Sequence, residues 1–69
     1  MPVINTLELE GVSEKSWGEA AREALREAAR TIRNINRLEV LSTGTEIEGN
    51  EIARYRTTVR LYFEVEAER

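Results

Sequence analysis

Three glutamates in one segment have the spacing of a cation-binding ridge. Glu19, Glu23 and Glu27 recur every four residues, which aligns their carboxylates along one side of a helix. Calcium and similar hard cations bind several carboxylate oxygens, so Glu19 and Glu23 are candidate metal ligands, completed by neighbouring copies of the chain. The alternative is a solvated ridge in which the intervening arginines pair with these glutamates.

Two tyrosines form a second set of chemically capable side chains. Tyr55 and Tyr62 can stack on a ligand, or they can cover a glycine and fill an interface.

Catalysis has little support in this composition. The chain has no histidine and no cysteine, which removes the usual general base and the usual thiol nucleophile. No glycine-rich phosphate loop follows a predicted strand. We therefore expect a protein that is not an enzyme.

Length and charge restrict the remaining classes. The 69 residues predict a single domain, 1–69, and a small core that disulfides or zinc cannot reinforce, so we expect oligomerisation. A net charge of −3 disfavours nucleic-acid binding. No apolar run approaches the length of about 18 residues that spans a membrane, so we expect a soluble, cytoplasmic protein without a membrane partner.

The first half of the chain predicts a strand followed by a helix. Apolar and polar residues alternate over residues 3–10, and Gly11 is expected to end that strand. Ser16 and Glu19 have the spacing of a capping box, with Glu19 reaching back to the N-cap. Apolar residues then recur at helical spacing, which predicts a helix over residues 17–34.

The second half predicts a β-hairpin around Gly49-Asn50. With these two residues as the turn, the numbers of paired residues sum to 99, so that Leu38 opposes Leu61 and Val40 opposes Val59. The same register places Tyr55 over Gly44, and a bulge at Gly44 would alter the pairings beyond it.

These elements predict an α+β fold in which one helix packs on a three-stranded antiparallel sheet, in the order β-α-β-β. The last strand, expected over residues 52–66, lies in the centre and is about 50 Å long at about 3.3 Å per residue. The helix is far shorter, and the sheet face away from it carries apolar residues among its charges. Both features predict a homo-oligomer, with Trp17, Leu41, Arg60 and Tyr62 as candidate interface residues. Trp17 could alternatively be a ligand platform.

Read as a whole, the sequence resembles the dodecins, small β-α-β-β proteins that assemble into a hollow dodecamer and hold flavins or ions. The resemblance extends over residues 4–66 and rests on the order of several short motifs. These are GVSEKSW at residues 11–17, AAREA at 20–24, RTI at 30–32, LEV at 38–40, YRT at 55–57 and LYF at 61–63.

The resemblance also locates the positions at which flavin-binding dodecins hold the flavin. Their stacking tryptophan corresponds to Arg37 in this chain, and their flavin-bonding glutamine corresponds to Arg56. Because both residues are replaced, the chain is more similar to the calcium dodecins, which lack that tryptophan. The resemblance therefore implies that calcium or another divalent cation is the cofactor, and flavin is the less expected ligand.

Arginines at these two positions suit an anion or a phosphate in place of flavin, because a guanidinium presents several donors in one plane. The alternative is that Arg37 and Arg56 pair with glutamates of the same or a neighbouring chain.

The expected function is that of a non-catalytic dodecin-like protein, a dodecamer, that binds or stores an ion or a small ligand, with flavin binding lost or weak. One alternative is a flavin-sequestering dodecin that uses Arg37 as a stacking plane. A second alternative is a structural scaffold without a ligand.

Overall fold

A computed structural model describes residues 2–66 of the chain, with the side chains of residues 3–65. Strand β1 spans Pro2–Ser13, helix α1 spans Trp17–Ala29, strand β2 spans Ile35–Glu48 and strand β3 spans Glu51–Glu66. The strands form one antiparallel sheet in the order β1-β3-β2, which confirms the predicted fold class and the central position of the last strand. Within the described residues, no helix is long and apolar enough to cross a membrane.

Strand β1 is longer than predicted, because Gly11 continues it instead of ending it. Gly11 pairs with Thr57 on β3 and is buried. A Cβ atom at this position would lie 1.8 Å from the carbonyl oxygen of Ala20. The glycine therefore allows the backbone of α1 to approach the sheet closely. The absence of a side chain matters at this position, and the conformational freedom of glycine does not.

Helix α1 begins where the sequence predicts and ends earlier. The Ser16 Oγ accepts a hydrogen bond from the Glu19 N–H at 3.0 Å, which confirms the N-cap. The Glu19 carboxylate bonds Arg22 instead of reaching back to the cap. The helix ends at Ala29 and not near Asn34, since the chain turns through two β-branched residues and Asn34 takes a left-handed conformation with φ of 66°.

The hairpin turn forms at Gly49-Asn50 as predicted. Both residues have positive φ, of 58° and 66°, the combination that a tight two-residue hairpin turn requires. The predicted pairing of Leu38 with Leu61 is confirmed, as is that of Val40 with Val59.

Between these points the predicted register is wrong by one residue. The pairing shifts after Val40, where Leu41 is the extra residue, and shifts back between Glu46 and Ile47. Within the shifted segment Tyr55 opposes Thr45, and Gly44 opposes Arg56. The irregularity thus lies three residues before Gly44, the position at which a bulge was considered.

The core lies between α1 and the centre of the sheet. Its buried residues are Ala20, Ala24 and Ala28 of the helix together with Val59 and Leu61 of β3. The small alanines continue the close approach that Gly11 permits.

The helix covers only part of the sheet. It packs mainly over β1 and β3, and Val40 of β2 remains 55% exposed although it lies on the helix side of the sheet. The 13 residues of α1 span about 20 Å, whereas the 16 residues of β3 span about 50 Å. Much of the hairpin therefore extends beyond the helix, as predicted.

Candidate functional site

The sheet face that points away from α1 carries most of the polar side chains that the sequence singles out. Because strand side chains alternate, the burial of Val59 and Leu61 against the helix leaves Arg60 and Tyr62 on the opposite face. We call this surface the outer face. Its main polar residues are Glu8, Glu10, Arg37, Glu39, Glu46, Arg54, Arg56, Arg60 and Tyr62.

The register shift brings Glu46 to the outer face. In an unshifted hairpin Glu46 would oppose Ala53 and point to the helix side. The extra residue at Leu41 makes Glu46 oppose Arg54 instead. The Glu46 carboxylate accepts a hydrogen bond from Arg54 at 2.7 Å and another from Arg56. One residue added to β2 thus supplies the carboxylate that joins two arginines.

Arg56 lies between two carboxylates. Its Nη1 group donates to Glu46, and its Nη2 group donates to Glu10 at 3.0 Å. The hydrogen bond from Arg56 lowers the pKa of Glu10 below its usual value. The same bond, with the charge of Glu10, raises the pKa of Arg56. The positive charge at this position is therefore already balanced within the chain.

A second group of contacts surrounds Tyr62. The guanidinium carbon of Arg37 lies 3.8 Å from the centroid of the Tyr62 ring, a cation–π contact. The Tyr62 hydroxyl donates to Glu39 at 2.6 Å. Arg60 donates to Glu8 at 2.8 Å, and the hydrogen bond to Glu8 is the main cause of its raised pKa. Polar contacts thus link all three strands on this face.

The structure places Arg37 and Arg56 on one face but does not bring them together. Arg37 pairs with Tyr62, and Arg56 lies six residues earlier along β3. At about 3.3 Å per residue, the two positions are about 20 Å apart. A small ligand that contacts both side chains would have to do so between two chains.

The candidate metal ligands Glu19 and Glu23 are each paired with an arginine of the same helix. Glu19 contacts Arg22 at 3.3 Å, and Glu23 contacts Arg26 at 2.5 Å. Over residues 2–66, no group of three or more acidic side chains is close enough to hold a metal ion. Calcium at these glutamates would need oxygens from another chain, as their spacing alone suggested.

The candidate interface residues occupy three different environments. Trp17 is 44% exposed, and its indole N–H donates to the carbonyl of Gly44 at 2.9 Å while its ring meets Tyr55 edge-on at 5.2 Å. Leu41 is the bulged residue and is 40% exposed. Arg60 and Tyr62 belong to the outer face. The role of these residues in an interface stays a prediction.

Comparison with known proteins identifies the family. The Dodecin family profile matches residues 3–66, which is nearly the whole chain. The chain belongs to the dodecin family. None of the curated proteins matches it significantly.

Solved dodecin structures superpose closely on the chain. The dodecin from Streptomyces coelicolor is 25% identical with a TM-score of 0.92, over 97% of this chain and 96% of that one. A mutant of the T. thermophilus dodecin is 26% identical with a TM-score of 0.92, over 99% and 100% of the two chains. The calcium dodecin from Mycobacterium tuberculosis is 22% identical with a TM-score of 0.83, over 97% and 96%, and it shares the fold.

Sequence reasoning missed two residues of this dodecin's outer face. Glu46 and Arg54 were not singled out, although their ion pair is central to the contacts of Arg56. The alternation of polar residues in β2 contains no marker for the extra residue at Leu41. A test of both registers for acid–base pairing would have favoured the shifted one in this segment.

Proposed function

We propose that the chain is the subunit of a non-catalytic homo-oligomer, a dodecamer, that binds or stores an ion or small ligand in the manner of calcium dodecin. Flavin binding is lost or weak. The observation that carries this proposal is the position of Arg56 between Glu10 and Glu46. At a position that the dodecin resemblance assigns to the flavin, both terminal nitrogens of this side chain are already engaged.

Assembly is supported by apolar side chains that the single chain leaves uncovered. Ile47 and Ile52 form a pair near the end of the hairpin and are 58% and 51% exposed. Val40 lies on the helix side of β2 but is more than half exposed. A groove of about 250 Å³ lies beside Leu25 and Leu38. Surfaces of this kind are typically covered by another chain.

The proposed cargo is a divalent cation. The calcium dodecin of M. tuberculosis, with which this chain shares its fold, is a calcium-chelating protein. In this chain the proposed ligands are Glu19 and Glu23, with further oxygens from neighbouring subunits. To bind a cation, each carboxylate would give up its contact with an arginine. That contact is exposed to water and therefore stabilises the fold only slightly.

A flavin-sequestering function is the second candidate, and the placement of Arg37 favours it. The guanidinium is exposed, and its central carbon lies 3.8 Å from the centroid of the Tyr62 ring. A planar guanidinium can stack on an aromatic ring and can take the place of the missing tryptophan.

Native mass spectrometry of the full chain tests the proposal. The expected spectrum shows twelve subunits with retained divalent cations and no flavin mass. A monomer would contradict the assembly, and retained flavin would favour the second candidate. Glu19→Gln with Glu23→Gln should abolish cation retention, while Glu14→Gln, an exposed glutamate outside the helix, is the matched control.

A further inference from the structure

The solvent side of α1 carries a regular series of charges, of which the proposed cation site uses only Glu19 and Glu23. We call this series the helix ridge, and its members are Glu19, Arg22, Glu23, Arg26, Glu27 and Arg30. Their side chains are between 36% and 73% exposed. The opposite side of the helix buries Ala20, Ala24 and Ala28 against the sheet. The chain's own sheet therefore leaves the ridge uncovered.

Each arginine of the helix ridge uses only part of its hydrogen-bonding capacity. Arg22, Arg26 and Arg30 each donate through Nη1 alone to the glutamate three residues earlier. Within residues 2–66, their Nη2 and Nε groups have no partner. A guanidinium has five donors, so these side chains can bind a second carboxylate without releasing the first.

The order of the charges is self-complementary. Acids and bases exchange places about the midpoint between residues 24 and 25, so that Glu19 is related to Arg30. By the same relation Arg22 corresponds to Glu27, and Glu23 corresponds to Arg26. When two identical helices pack antiparallel about a two-fold axis at this midpoint, each residue lies opposite the residue of the other copy that is equally distant from the midpoint. Two copies laid antiparallel across this axis would place an acid opposite every base.

We propose that the helix ridge is a docking surface for a second copy of this chain, which binds antiparallel through the same six residues. The ridge contains three acids and three bases, so it presents no net charge to a nucleic acid or an anionic membrane. The order of acidic and basic residues along the ridge is instead complementary to the ridge of a second copy of the chain. Because the helix ridge lies on the side of α1 away from the sheet, ridge pairing leaves the sheet and the hairpin available for contacts within the proposed oligomer.

Ionic strength provides the first test. Exposed charges are screened over about 30 Å at 0.01 M salt and about 3 Å at 1 M. Sedimentation velocity of the wild-type chain should therefore show a species of at least twice the mass in the low-salt buffer. We expect the dissociation constant of this step to rise at least about tenfold in the high-salt buffer. A sedimentation coefficient that does not change with salt would overturn the proposal.

A charge-swap series tests the pattern itself. Glu27→Arg places arginine opposite arginine, and Arg22→Glu places glutamate opposite glutamate, so neither variant should self-associate. The mixture of the two variants restores an acid opposite every base and should associate like the wild type. The double variant R22E/E27R is also self-complementary, and it retains the net charge of −3.

The charge-swap series also separates pattern from overall charge. The single variants have net charges of −1 and −5, from −3 + 2 and −3 − 2. If net charge alone governed association, the two single variants would differ from the double variant. The signs at residues 22 and 27 would then have no effect of their own. Failure of both the mixture and the double variant to associate, with wild-type circular dichroism, would overturn the proposal.

Co-sedimentation would also detect a different binding partner of the helix ridge. If the wild-type chain remains one species at low salt but sediments with anionic phospholipid vesicles, the ridge binds a membrane and the proposal is wrong. The subunit number at high salt is measured separately by native mass spectrometry. Sedimentation at low salt tests ridge pairing, and native mass spectrometry at high salt tests the proposed oligomer. Failure of one proposal therefore does not prevent a test of the other.

Discussion

The two faces of strand β3 show how one segment serves two physical purposes. On the helix side, Thr57, Val59 and Leu61 are at most 1% exposed and contribute to a closely packed core. On the outer face, Arg56 and Arg60 are partly exposed and held by carboxylates from neighbouring strands. Burial makes the first face sensitive to shape, whereas solvent weakens each contact on the second. The core therefore contributes more to stability than the contacts of the outer face do.

The largest expected effect comes from adjacent residues on opposite faces. Leu61→Ala should destabilise the fold by about 2–5 kcal/mol, because it removes buried methyl groups and leaves a cavity. Tyr62→Phe removes only the hydrogen bond to Glu39 and should cost at most about 1 kcal/mol. Urea denaturation at a fixed protein concentration measures both. Equal losses would contradict the division between the faces.

Two glycines provide the next comparison. Gly11→Ala should destabilise by about 1–3 kcal/mol, since the new Cβ meets the backbone carbonyl of Ala20 and the helix must move. Gly44 has no atom within 4 Å of an added Cβ, so Gly44→Ala is the matched control and should be nearly neutral. Thermal unfolding followed by circular dichroism distinguishes them. A neutral Gly11→Ala would show that the close helix approach is dispensable.

Acid should weaken the outer face through Glu10. The pKa of Glu10 is lowered by its hydrogen bond with Arg56, so the bond stabilises the fold above the usual value of about 4.3 and is lost as pH falls through the lower folded-state pKa. The stability difference between the wild type and Glu10→Gln should therefore shrink on acidification. Denaturation between neutral and acidic pH measures it, with Glu14→Gln as control. A difference independent of pH would contradict the pairing.

The smallest effect on stability is expected at Glu46. Glu46→Gln should leave the melting temperature close to that of the wild type, because its contacts with Arg54 and Arg56 are partly exposed to solvent. It should nevertheless release one side of Arg56 and increase binding of an anionic probe such as FMN relative to uncharged riboflavin. Fluorescence titration of both flavins reports this change. Equal affinities in the variant and the wild type would show that Glu46 does not control the charge at this position.

The sequence was sufficient for those features that follow from local patterns. The order of elements, the Ser16 cap and the Gly49-Asn50 turn all depend on neighbouring residues, and all three are confirmed. The helix end and the role of Gly11 depend on tertiary packing instead. The helix-like periodicity continues past Ala29, but the chain has to turn there to reach β2.

The site was less predictable than the fold. Arg37 and Arg56 lie on one face, but their separation along β3 follows from a register that alternation does not uniquely define. Because of the one-residue shift, the predicted register placed Glu46 on the helix side of the sheet and not on the outer face. The set of residues on the outer face thus depends on the position of the bulge in β2. Several positions of the extra residue would preserve a similar apolar pattern, so the pattern does not identify the correct one.

Two of the three register shifts in the hairpin are opposite in sense and cancel one another. Leu41 introduces an offset into β2, and Ala53 cancels it in β3, so the disturbance is confined to the segment between them and the turn is unaffected. A change of length in one strand alone would displace the turn. Joint deletion of Leu41 and Ala53 would instead restore an unbroken ladder from Arg37 to the turn while Glu46 still opposed Arg54. Variation in the length of this hairpin should therefore occur in matched pairs, one residue from each strand.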